Sequence, residues 1–278
     1  ASAAYSSADF KTMDAYVQEV LNKAEDLHVK VRAHEIRISA RIAQNRPGEA
    51  IDVACEVLAL LDVELPRSAD ESAVPEWLSA TMAAMADRDV HALAESEVMT
   101  DPKMLAAMRI LASIASASYV AAPDIFPLVC FKQIELTALH GVTTHTAFAL
   151  TTFGIIQGGV LGNLDVCYAS GKAARRVLER TDAQEVEGRT RYVSNVYLDI
   201  WKTHVLDACE NSVEIRDRCL ETGDLEFAAW AAMMRTIYAF FLGVPLGDAE
   251  PLVLLVQYPV KQDRQQIDRR LRRIAGIH

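Results

Sequence analysis

His34 and Glu35 are the residues most suggestive of chemistry, an imidazole beside a carboxylate in a stretch of helical spacing. A histidine held this way on a helix can accept a phosphoryl group when a nucleotide-binding domain delivers one. A phospho-accepting helix, however, continues with Thr or Asn and then a kinking proline. Here His34-Glu35-Ile36-Arg37 runs into Ile38 and Ser39. The spacing predicts an ordinary amphipathic helix with His34 on a partly exposed face. The paired carboxylates Glu185 with Glu187, and Asp248 with Glu250, stand in turn-like surroundings without apolar shielding. They read as solvated charges rather than acid–base pairs. His140 and His145 are the nearest approach to a metal pair, but Gly141 breaks the helix between them, and no histidine falls at ligand spacing with a cysteine. Gly171-Lys172 sits inside a helix without the upstream glycine of a phosphate loop. No dinucleotide fingerprint, nucleophile elbow or His-Glu-x-x-His string occurs. No catalytic residue, metal or cofactor is expected.

Aromatic residues gather in the second half. Tyr197, Trp201 and His204 fall at i, i+4 and i+7, which on one continuous helix is a single face. Packing between helices is one reading of that stripe. The other is a concave groove in which Tyr197, Trp201, Lys202 and His204, with Trp230 and Tyr238, face a peptide or small ligand.

The elements that carry these residues are helices throughout. Apolar positions recur every three or four residues, and no convincing run alternates with period two. Helices are predicted at 8–23, 25–44, 48–63, 73–86, 88–97, 101–121, 124–140, 144–160, 164–180, 184–204, 206–221, 224–241 and 260–275. A turn cassette occurs three times between them: Ala43 to Ala50, Leu161 to Ala169, and Thr222 to Ala228. In the last two, Gly162-Asn163 and Gly223-Asp224 end one helix and cap the next. A small residue follows where two helices must approach closely. This is the joint of a tetratricopeptide-type repeat, whose usual period is about 34 residues. The expected fold is all-α, an irregular array of antiparallel helix pairs wound as a right-handed α-solenoid. It is read as one domain over 1–278, with a soft border at 66–74 and a basic helix at 260–278.

Composition narrows the partners. The chain has 278 residues with a formal charge of −10, too acidic for a general nucleic-acid surface. Leu246 to Val256 is the nearest approach to a membrane span, and Asp248, Glu250 and Pro251 interrupt it. Ala1 to Asp9 is polar, without the basic start and apolar centre of a signal peptide. Cys55, Cys130, Cys167, Cys209 and Cys219 are odd in number and set among apolar residues, as buried thiols of a reducing cytoplasm would be.

Taken in order, several short strings resemble the helical-repeat region of very large bacterial signalling proteins, best known from cyanobacteria. They are Glu49-Ala50-Ile51-Asp52, Leu61-Asp62-Val63-Glu64-Leu65-Pro66 and Ala106-Ala107-Met108-Arg109-Ile110-Leu111. Ala121-Ala122-Pro123, Gly162-Asn163, Trp201-Lys202 and Glu221-Thr222-Gly223-Asp224-Leu225-Glu226 follow. In that family a serine/threonine kinase-like domain and an AAA-type ATPase precede this region, and a GAF domain and a histidine kinase follow it. The resemblance implies a non-catalytic segment that couples the neighbouring ATPase and kinase domains of one parent chain. Asp62 stands where the family usually has glycine. A module that senses a peptide or metabolite in its groove is the alternative.

Overall fold

The computed structural model describes residues 9–70 and 72–245. The segment read from sequence as a basic helix, 260–278, lies outside the described residues, as does Leu246 to Val256. Every element among the described residues is helical; the one β-like contact is an isolated bridge between Val98 and Val142. Chain contacts divide into two compact units, parted between Ala149 and Leu150.

The first unit holds α1 (Phe10–Lys23), α2 (Leu27–Ala43), α3 (Pro47–Leu60), α4 (Ala73–Met85), α5 (Val90–Ala94), α6 (Pro102–Ala121) and α7 (Phe126–His140). Local signals set their ends. Asp9, Asp26, Asp89 and Asp101 each accept a backbone N–H in the first turn of the helix that follows. Pro102 takes the first helical position of α6, where its missing N–H costs nothing. Asn45 and Asp62 adopt the left-handed conformation at the ends of α2 and α3. Asp62 can stand in for glycine because Asp tolerates that region better than most residues.

Packing in this unit is not purely sequential. α1, α2 and α3 pack each on the next, but α3 then meets α6, and α4 lies on α7. The α4–α7 contact is tied by Thr81, whose hydroxyl donates to Phe131 O at 3.3 Å, and by Lys132 Nζ, 4.8 Å above the Trp77 ring. α6 is buried along ten of its residues and is the backbone of this core. It is also long and apolar enough to cross a membrane by length and composition. Lys103 and Arg109 are its two charged residues, and it is a longer apolar stretch than Leu246 to Val256.

The second unit is built from the end of α8 (Thr144–Ile155), α9 (Leu164–Thr181), α10 (Gln184–Val193), α11 (Val205–Thr222) and α12 (Leu225–Phe241). Two predicted helices change pitch here. α8 runs into a π-turn at Ile156–Val160, and α10 into a π-turn at Ser194–Leu198 followed by a 3-10 turn at Asp199–Trp201. α9 packs against both π-turns through small residues. A Cβ on Gly158 of the first π-turn would stand 2.7 Å from Cys167 Sγ, and one on Gly171 of α9 would stand 3.5 Å from Ser194 Oγ of the second.

α11 and α12 form the most extensive helix pair. Gly223, at φ 77°, ends α11; Asp224 N–H donates to Cys219 O at 2.8 Å in the closing turn. Asp224 directs its carboxylate to Arg189 Nε, 2.8 Å away, so the joint is pinned to α10. Two long helices joined by a two-residue turn and packed along their length run antiparallel. Ala228, near the start of α12, is buried at 5% exposure. Ala228→Leu should destabilise the protein by about 1–3 kcal/mol through overpacking. An unchanged urea midpoint would place that position on the surface.

Candidate functional site

The most site-like surface is built where α9 passes the irregular end of α10. Gly162, at φ 69°, breaks the chain ahead of α9, and Asn163 Oδ1 accepts Val166 N–H at 3.2 Å. That start sets Asp165, Tyr168 and Lys172 at helical spacing along one side of α9. On the other element, buried Asn195 donates through Nδ2 to Ala208 O at 2.9 Å, anchoring the π-turn to α11. The Tyr197 carbonyl, in the π-turn, accepts both the Trp201 indole N–H at 3.0 Å and the Cys167 thiol at 3.8 Å.

These contacts leave Trp201 56% exposed. Lys202 Nζ reaches back to Asp165 Oδ1 at 2.8 Å and stands 5.0 Å from the Tyr168 ring centroid. Lys172 Nζ stands 4.7 Å from the same centroid. One tyrosine ring thus attracts two ammonium groups, a geometry stabilised by the negative face of the ring. The hydrogen bond from Lys202 holds the Asp165 carboxyl below its ordinary range, and the same bond raises the Lys202 ammonium. One turn further along, Arg175 makes two bonds to Asp199, at 2.8 and 3.3 Å. Arg175 also lines a cleft of about 180 Å³ with Glu179, Asp182, Glu187 and Arg191. The surface combines an exposed indole with two ammonium groups over one tyrosine, and Lys202 and Arg175 each have a carboxylate partner.

Of the residues expected from sequence, Tyr197, Trp201 and Lys202 come together here. His204 does not share their face: the π- and 3-10 turns end the helix at Trp201, and His204 Nδ1 caps α11 by accepting Leu206 N–H at 3.1 Å. Residues at i, i+4 and i+7 share a face only at 3.6 residues per turn, and the wider π coil breaks that register. Trp230 belongs to a separate aromatic cluster, 4.9 Å from Phe227 and 6.0 Å from Tyr192. Tyr238 is buried in the core, where desolvation, then the nearby Cys209, pushes its phenol up to about 12. Sequence reasoning missed Asp165, Tyr168 and Lys172, although their spacing on one predicted helix was the available signal.

Burial raises the thiols of Cys55, Cys167, Cys209 and Cys219, the last to about 12. Glu187 is paired with Arg191 at 2.8 Å. Among the described residues, no group of three or more His, Cys, Asp or Glu side chains is placed to hold a metal ion.

His34 differs from its expected placement. It is buried, 7% exposed, because α2 is flanked by α1, α3 and α6. Its Nδ1 has no hydrogen-bond partner. Desolvation first, and then the Arg37 charge, lowers its pKa below the ordinary histidine value of 6.5. The folded protein therefore resists protonation where the unfolded chain accepts it. Stability from this group is fully present above about pH 6.5 and is lost as pH falls below it, toward the lower folded-state value. His34→Gln should flatten the fall in stability below pH 6.5, as followed by urea melts across pH 5–8. An identical acid slope in the variant would contradict this assignment.

Compared with known protein families, with curated proteins and with solved structures, the chain gives no match.

Proposed function

We propose that this chain is a non-catalytic, TPR-like helical-repeat scaffold that couples neighbouring domains of a cytoplasmic signalling protein. On this reading its helix pairs form a right-handed α-solenoid, and its partners are the ATPase and kinase domains of one parent chain. The observation that carries the reading is the packing of α10 on both members of the antiparallel α11–α12 pair. Gly188 of α10 lies against Cys219 of α11, so the two helices approach closely, as stacked helical pairs require. Repeats of this type hold partners by surface rather than act on them. Burial of His34 also supports a non-catalytic role, since a phosphoryl donor must reach the ring.

A second reading, a peptide-sensing module, is favoured by the surface around Trp201. An exposed indole beside two ammonium groups has the composition of a binding hot spot. The test is a displayed random-peptide library panned against the purified chain. Peptides rich in carboxylates are expected, with affinity reduced at least about tenfold in Trp201→Ala. Recovery of the same peptides with the same affinity by Trp201→Ala would remove this surface from the account.

A further inference from the structure

The last described helix is apolar on both sides. Phe227, Ala228, Ala231, Ala232, Tyr238 and Ala239 of α12 are buried. On the opposite side Met233, Ile237, Phe240 and Phe241 are 42%, 37%, 62% and 72% exposed. Their spacing of four, three and one makes a continuous stripe along the outer face. Glu226 and Arg235 are the sole charged residues of the helix, and Arg235 is buried. A helix that is hydrophobic all round is covered on both sides in a folded protein. Met233, Ile237, Phe240 and Phe241 form a larger apolar surface than scattered exposed residues would.

We propose that this face is the docking site of the chain's own residues 260–275. Ile267, Leu271 and Ile274 fall at i, i+4 and i+7, an apolar stripe that matches the α12 stripe in kind and length. The chain leaves α12 at Gly243, whose φ of 78° is the left-handed turn that also follows α11 at Gly223. Residues 246–259 give enough length to reverse direction and return along α12. Charge agrees: Arg269, Arg270, Arg272 and Arg273 are basic in an otherwise acidic protein. α11, beside α12, exposes Asp207 and Glu210, together with Glu214 near Arg191 and Glu221 paired with Arg218. Opposite charges flanking an apolar seam fix orientation more than they add affinity.

Hydrogen exchange of the full chain tests this, comparing the parent with Leu271→Asp/Ile274→Asp and, separately, with Ile237→Asp. Amides of residues 233–241 should exchange at least about tenfold faster in both variants, while α9 and α10 keep their protection. Equal exchange in parent and double variant would overturn the proposal. So would protection that rises with protein concentration together with a doubled mass in light scattering, which would make a second copy the occupant.

Discussion

Gly141→Ala should destabilise the protein by about 3–5 kcal/mol, combining left-handed strain of about 1–3 kcal/mol with overpacking of similar size. Gly141 closes α7 at φ 101°, a conformation that L side chains rarely adopt. A Cβ there would run into the Glu97 carbonyl and stand 3.1 Å from Met99 N. Neither atom can yield cheaply. Glu97 O accepts Val142 N–H at 2.8 Å, and Met99 N–H donates to Val142 O at 2.9 Å. Relief of the clash must break the bridge that ties the loop after α5 to the end of α7. Urea melts should show a large drop in midpoint, and a midpoint within error of the parent would refute the strained geometry.

Gly188→Ala should cost about 3 kcal/mol in the second unit, for a different reason. In an exposed helix interior the change would stabilise by about 1 kcal/mol, because alanine is the better helix former. Here the new methyl would stand 2.5 Å from Cys219 Sγ, and 3.0 and 3.1 Å from Cys219 N and Cα. Backbone atoms in a packed helix cannot move alone, so overpacking outweighs propensity. Adding Cys219→Ala removes the sulfur but leaves the backbone contacts. The double variant should recover less than half of the loss. Full recovery would mean that the sulfur alone sets the spacing of α10 and α11.

Helix ends were the most legible part of the sequence. Asp101-Pro102, Gly162-Asn163, His140-Gly141 and Gly223-Asp224 all stand at helix boundaries, because capping is a local interaction between a few residues. What required tertiary contacts was not legible. The π-turn at Ser194–Leu198 is anchored by Asn195 bonding to Ala208, thirteen residues away. That turn takes His204 off the Trp201 face and brings Lys202 to Asp165 and Tyr168. Helix α5 is also shorter than its predicted span of 88–97: Ala86 and Asp87 turn left-handed before it, and residues 97–99 are drawn away to the Val142 bridge. His34 lies on an amphipathic-looking helix, and its burial comes from the helices α1, α3 and α6 that flank α2.

The central claim, that the chain positions partners without doing chemistry, is tested most directly with labelled ATP. Phosphoryl transfer needs a phosphate cradle and acidic metal ligands around it. The purified chain, incubated with magnesium and γ-labelled ATP, should neither release labelled phosphate nor retain label. Label retained by the chain and abolished in His34→Ala would contradict the scaffold account and make His34 an acceptor.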